Sequence, residues 1–377
     1  MSTPKHFSDI QIIEINPEIG FSDEFLFTMK DVTVSIAIAN CIRRIIGLDI
    51  PTFTISPETI NYQINTSPWD PEMITHQLVY IPMIPDFLRK SDLNMLELIL
   101  DVTNDEKAYR YVLSNELILK NKETNKIISN EILVYKNIPL FLLGPKQHVK
   151  LSCKIEYMTK KESDSRHQAG TAGIDYKQDE KIDTDPVEIL FNVNIQTGLS
   201  SKDLISLVFD NLISRFKKLQ ETIKKGDSSS FYMQLNRYHR YDFVFIGEDH
   251  TIGNLIEKWN NRHDSRSVTG YRQPSDGKSI KIDYGLDKFA PVIFTQNDGG
   301  DDDKLENLIE KSIISIDEKK EKQQRIDTLK VFIENLLRIE EYLIELKDDW
   351  EKVKIVNVHV KEYMNSIFKQ RIERLQR

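Results

Sequence analysis

Eight consecutive residues of this chain recur: Ile38-Ala39-Asn40-Cys41-Ile42-Arg43-Arg44-Ile45 lines up without a gap on Ile252-Gly253-Asn254-Leu255-Ile256-Glu257-Lys258-Trp259. In each copy two apolar anchors stand four apart, a small residue beside the first allows close helix approach, an Asn follows, and a bulky apolar residue closes the stripe. At helical spacing these side chains share one face. Core helices of unrelated folds also match this well, so the octet needs support from its surroundings. The surroundings repeat too: each half reads as strand, helix, strand, second strand and long helix, with a large strand-rich block inserted into the first. Two such amphipathic units each have one sheet face to cover, and they can bury it against each other.

In the first half, Val34, Ile38, Ile42, Ile45 and Ile46 make one apolar stripe along a helix ending before Pro51. Asp31 or Thr33 is the expected cap, Arg43 and Arg44 fall in the last turn, and Gly47 suits the left-handed position after it. Thr52 to Ile55 reads as a short strand. Period-two alternation then predicts half-buried antiparallel strands at Leu96, Leu98, Leu100 and Val102, at Tyr109, Tyr111 and Leu113, and from Val149 to Tyr157. Residues 160 to 185, with two glycines and many charges, read as a mobile surface loop. Ile189, Phe191, Val193 and Ile195 form the returning strand. Ser200 and Asp203 make an acidic variant of the capping box for a helix carrying Leu212 and Phe216 and closing at Gly226.

The second half opens with a polar linker over residues 226 to 230 and a strand at Tyr241, Phe243 and Phe245. A helix over residues 251 to 261 follows, with Thr251 as its expected cap and Asp249 and His250 bracing the turn before it. Two strands at residues 267 to 272 and 279 to 284 flank a turn at Pro274 to Gly277. A helical tract from residue 304 carries Ile309 and Ile313, resumes over residues 326 to 343, and reads as helical again from residue 351 to the end.

At 377 residues the chain has room for two or three domains. No stretch nears the roughly 18 apolar residues of a membrane span, and the opening residues lack a secretory pattern, so a soluble, intracellular protein is expected. The net charge of −8 repels a phosphate backbone, so DNA contact is expected only indirectly. Cys41 and Cys153 are the only cysteines, which fits a reducing compartment and excludes a Cys-rich zinc site. Gly170 to Gly173 lacks the lysine of a phosphate loop, residues 297 to 303 lack calcium-loop spacing, and Asp249 with His250 has no nucleophile nearby in sequence. No catalytic residue, metal or cofactor is expected. The strip Arg237-Tyr238-His239-Arg240-Tyr241 interleaves bases and aromatics, and in an acidic chain it favours strand entry or a protein contact over nucleic acid.

Longer phrases carry a family resemblance. Val34 to Ile45, Asp49-Ile50-Pro51-Thr52, Asn65-Thr66-Ser67, Asp70 to Leu78 and Ile81-Pro82-Met83 together resemble the α-like third-largest subunit of cellular RNA polymerases. Glu248 to Ile256, Thr269 to Pro274 and Ile280-Lys281-Ile282 resemble its smaller α-like partner, and the Arg166-His167-Gln168-Ala169 segment resembles the stretch leading back into the first family's dimerisation domain. A fused form is similar to that of large DNA viruses. Many relatives of the first half carry a zinc-binding cysteine cluster in the insert, whereas this insert has only Cys153. A His common near Pro274 is absent, with Gln273 and Ser275 in its neighbourhood.

The resemblance implies an α+β fold. Residues 1 to 56 and 186 to 225 would form one α-like dimerisation module, with residues 57 to 185 as its antiparallel insert. Residues 226 to 333 would form the second, paired with the first inside one polypeptide, and residues 334 to 377 a helical extension. It implies an inter-module interface of Ile38, Asn40, Ile42, Ile45, Leu212, Phe216, Ile252, Asn254, Ile256, Trp259, Ile309 and Ile313, and a large-subunit contact at Arg43, Arg44 and His167. The function implied is a non-catalytic scaffold of DNA-directed RNA polymerase; the alternatives are a stand-alone metal-dependent nucleotide hydrolase and an α+β protein-interaction adaptor unrelated to transcription. The scaffold's partners would be the largest and second-largest subunits and small polymerase subunits, in host cytoplasm and virion if viral and otherwise in the nucleus. For Arg43 and Arg44 the plain alternative is charge compensation at a helix end.

Overall fold

A strand with apolar side chains on both faces must run through the middle of a sheet, and Phe25-Leu26-Phe27 is such a run, with all three buried. The structure, a computed structural model, describes residues 3–15, 22–84, 88, 92–124, 126–128, 132–162, 168–176, 186–226, 228–236, 240–274, 277–286 and 318–357. It is an α+β chain. The first half holds β1 (Ile10–Ile15), β2 (Ser22–Lys30), α1 (Ser35–Leu48), β3 (Thr52–Ile55), β4 (Asn61–Asn65), α2 (Pro71–Val79), β5 (Leu96–Thr103), β6 (Arg110–Leu113), β7 (Ile118–Asn121) and β8 (Pro139–Leu143). It continues with β9 (His148–Cys153), β10 (Ile155–Met158), β11 (Gly170–Tyr176), β12 (Glu188–Ile195) and α3 (Ser201–Lys225). The second half holds β13 (Phe231–Leu235), β14 (Tyr241–Ile246), α4 (His250–His263), β15 (Ser267–Arg272), β16 (Ser279–Leu286), α5 (Glu318–Trp350) and β17 (Ile355–Asn357).

Two compact units result, one of Met1–Ser35, Ile42–Asn211 and Lys347–Arg377, the other of Ile36–Cys41 and Leu212–Leu346. In the first, a five-stranded sheet runs β11-β12-β2-β1-β17, antiparallel except where β17 lies parallel to β1. Its aromatic core stacks Phe27 on Phe191 at 4.6 Å, with Trp350 edge-on to Phe27 at 4.9 Å and to Phe7 at 5.3 Å. The insert forms a separate sheet, β4-β9-β5-β7, with the pairs β6-β8 and β3-β10 beside it. Leu98, Leu100, Leu119, Leu133, Val149, Leu151 and Cys153 are buried in its own apolar core, which holds this block by packing.

In the second unit the sheet runs β13-β14-β16-β15, all antiparallel, with α4 packed on β15 and β16. Phe332 of α5 stacks on Phe243 at 4.2 Å and meets Tyr284 edge-on at 5.1 Å. The two sheets share one topology. In the first half the order β1-β2-β12-β11 has α1 between its second and third strands in sequence and α3 after its fourth. In the second half β13-β14-β16-β15 has α4 and α5 at the same places.

Several expectations are corrected. Each copy begins with two strands before its first helix, not one. Gly170–Tyr176 is not a loop: all seven residues pair in register with β12, so this stretch belongs to the first copy's sheet and not to the insert. Residues 334 to 350 continue α5, which runs unbroken from Glu318 to Trp350, and Ile355–Asn357 is a strand, not a helix; residues 358 to 377 of the expected extension lie outside the described residues. α1 starts after Val34, which adopts φ 47° with no side-chain cap, instead of at a capping Asp31 or Thr33. The same helix continues through Gly47 to Leu48, leaving Arg43 and Arg44 before the last turn. On β6 Tyr111 points outward and Val112 is buried, the reverse of the expected face, and Tyr109, just before the strand, is exposed.

Candidate assembly interface and the sheet-face groove

The start of α4 is built by charge. Asp249 is the N-cap, its Oδ1 accepting the Thr251 N–H at 2.9 Å, so Asp249 and not Thr251 caps this helix. Arg215 of α3 clamps the turn: its Nε donates to Glu248 Oε2 at 3.1 Å, its Nη2 to the same oxygen, and Nη2 also reaches Asp249 Oδ1 at 3.3 Å. All three side chains are largely buried, so the forked guanidinium offsets two carboxylates that would otherwise lose solvation. Arg215 did not stand out in the sequence, because Glu248 lies 33 positions away. His250 is exposed and meets the edge of Tyr271 at 5.8 Å.

The small residue in the octet has a measurable purpose. A Cβ at Gly253 would lie 2.6 Å from Tyr271 Cδ2, so only glycine lets the ring pack against the helix. Cys41 Sγ donates to Thr251 O at 3.3 Å, tying a residue of α1 to α4 within the second unit. That unit gathers Ile38, Asn40, Leu212, Phe216, Ile252, Asn254, Ile256 and Trp259. All are buried except Asn40 and Asn254, which are half-buried. Ile42 and Ile45, also buried, belong to the first unit, as do exposed Arg43 and half-buried Arg44. His167, Ile309, Ile313 and the acidic stretch at residues 297 to 303 lie outside the described residues, as do residues 237 to 239 of the basic-aromatic strip.

The outward face of the second sheet carries a groove of about 590 Å³, lined among others by Gln234, Asp242, Gly270, Arg272, Lys281 and Asp283. The buried Asp242 pairs with Lys281, and Asn236 Nδ2 donates to Asp242 Oδ1 and Asp283 Oδ1, both at 3.2 Å. Burial raises the Asp283 carboxyl, against the pull of Arg240 and the Asn236 bond. The sequence signal was the second half of an alternation only half read: Ile280 and Ile282 face the core, so Lys281 and Asp283 face out.

A polar cluster lies inside the same unit. Asn335 Nδ2 donates to Asp264 Oδ2 at 2.9 Å and to the Tyr284 hydroxyl at 3.1 Å, and Arg266 Nε donates to Asp264 Oδ1 at 2.8 Å. Burial pushes the Asp264 carboxyl up, but the bonds from Arg266 and Asn335 outweigh it and hold the group below its ordinary value. Burial pushes the Tyr284 hydroxyl up to about 12. In the first unit burial likewise pushes the Cys153 thiol up to about 12, leaving it a protonated core residue.

Among the described residues no group of three or more His, Cys, Asp or Glu is placed to hold a metal ion, and no helix is long and apolar enough to cross a membrane. The sequence matches no protein-family model and no curated protein.

Proposed function

We propose that this chain is a non-catalytic assembly subunit of a multisubunit DNA-directed RNA polymerase, with both α-like modules in one polypeptide. The observation that carries the reading is the duplicated topology: four strands of the first sheet and the four of the second follow one order, each set with a helix between its second and third strands in sequence and a long helix after its fourth, and β17 is added to the first alone. The strand-rich insert interrupts only the first copy, where the resembling family has it. The matched octet falls on α1 and α4, equivalent helices of the two copies. Residues of α1 group with α4 in one unit, which supports pairing of the modules through their small-residue faces.

On this reading the fusion makes a dimerisation step intramolecular, at an effective concentration on the order of millimolar for a short linker. The large subunits assemble on the resulting platform, Arg43 and Arg44 contact the second-largest subunit, and the metal-dependent chemistry resides in the large chains. DNA is reached through the complex. Affinity purification of the tagged chain from cells that make it, followed by mass spectrometry, tests this. Two very large polypeptides should co-purify in stoichiometric amount, and their absence refutes the reading.

A further inference from the structure

We propose that the outer edge of β13 is a docking site for an extended segment of another polypeptide, which adds to the sheet as a parallel strand with apolar side chains at alternate positions.

Backbone direction defines the site. Ser230 O accepts from Ile246 N, and Asn236 N donates to Arg240 O, so even-numbered residues of this hairpin face β14. Alternation in an antiparallel pair then turns the N–H and C=O of Phe231, Met233 and Leu235 away from the sheet. The strand holds five regular pairs with β14 and no bulge, and its sequence, Phe-Tyr-Met-Gln-Leu, has no charge, proline or glycine. Natural sheets blunt their edges with such features, and this edge has none of them. Among the described residues no strand pairs its outer side.

The opposite edge of the same sheet is treated differently. On β15 the Asn261 amide acts as a surrogate strand: Nδ2 donates to Thr269 O at 2.9 Å and Oδ1 accepts from Thr269 N at 3.0 Å. One edge is therefore blocked by the chain's own side chain and the other is left regular.

The first copy supplies the precedent for the place and direction of the added strand. There the equivalent strand, β1, carries β17 along its outer side in parallel, with Ile10 N donating to Lys354 O at 2.8 Å. The second copy has the same strand order without that addition among the described residues. Its ledge stays partly uncovered, with Leu235 39% exposed on the core-side row of Phe231 and Met233, and Tyr232 43% exposed on the other face. An added strand would cover Leu235 with apolar residues at every second position, the chemistry of β-augmentation.

The proposal rests on the polymerase reading only for the identity of the complex, not for the edge. The test replaces Tyr232 with the photoreactive p-benzoylphenylalanine in the full chain, irradiates the purified assembly, and sequences the cross-linked peptide. The expected product is one extended, alternately apolar peptide from a different polypeptide. Met233→Pro removes an outward N–H without touching a bond to β14, and should lower the cross-link at least tenfold at unchanged hydrogen exchange of the β14 and β16 amides. Leu235→Lys, an edge charge at an exposed position, should do the same and serves if the proline variant does not fold.

A cross-link to this chain's own peptides overturns the proposal, as does no cross-link in an assembly holding both large subunits, or an undiminished yield in folded edge variants. If the large subunits are absent but an edge-dependent cross-link to another polypeptide forms, the docking site stands and the polymerase reading fails.

Discussion

Replacing Asn335 by alanine removes a side chain that is 1% exposed and donates from one nitrogen to two partners buried with it. The bond to the Asp264 carboxylate is charge-assisted and worth about 1.5 to 3 kcal/mol, and the bond to the neutral Tyr284 hydroxyl about 0.5 to 1.5 kcal/mol. Arg266 still holds Asp264, so the carboxylate is weakened but not orphaned. The loss should be about 3 kcal/mol, confined to the second unit. A chain of two units does not unfold as one two-state body, so a single melting curve averages the effect away. Hydrogen exchange read by mass spectrometry on peptides of β16 and α5 resolves it. At 1.36 kcal/mol per factor of ten, those amides should exchange about a hundredfold faster. Pairing the change with Asp264→Ala should show a coupling of at least about 1.5 kcal/mol. Acceleration below threefold, or additive single changes, would refute the account of this cluster.

Three further outcomes are expected. Asp349 accepts from the His6 N–H at 2.6 Å and the Lys5 N–H at 2.8 Å; burial raises its carboxyl, these bonds outweigh it, and the folded pKa lies below the ordinary value. Its stabilisation is therefore complete above the unfolded pKa of about 3.9 and disappears as pH falls through the folded value, so Asp349→Asn should flatten the acid limb of a stability–pH curve; an unchanged limb contradicts this. Arg215→Met leaves Glu248 and Asp249 without their guanidinium and should cost the second unit about 3 kcal/mol in urea, partly recovered by adding Glu248→Gln; no recovery would mean that the clamp is not electrostatic. On the proposed polymerase reading, reversing Arg43 and Arg44 to Glu should preserve circular dichroism and melting while reducing capture of the second-largest subunit at least tenfold, and wild-type capture sinks that contact.

What could be read in advance depended on whether a side-chain pattern was single-faced. α4 and β12 each bury one face, so Ile252, Ile256 and Trp259, or Ile189, Phe191, Val193 and Ile195, announce their period. β2 buries Phe25, Leu26 and Phe27 in succession, and with both faces covered there is no alternation to find. β11 fails for the opposite reason, since glycines at Gly170 and Gly173 and charge at Asp175 erase the contrast at a sheet edge. Val34 in the left-handed region is imposed by surroundings that no local propensity encodes. The octet exposed the duplication through its small residues, Gly253 against the Tyr271 ring and the fully buried Ala39. The Arg215 clamp and the Asn335 cluster join residues 33 and 71 positions apart, and Arg215 and Asn335 look ordinary alone.

The parallel pairing of Ile10 with Ile355 sets a timetable for synthesis. A ribosome releases the amino-terminal hairpin early, yet that hairpin's neighbour, together with the indole that seals its aromatic core, emerges only after the whole second sheet has been translated. The earlier-encoded lobe therefore waits half-dressed, with an open flank, until the last turn of α5 and the strand after it have been made. Nascent-chain proteolysis should find the front of this polypeptide vulnerable until translation is almost complete.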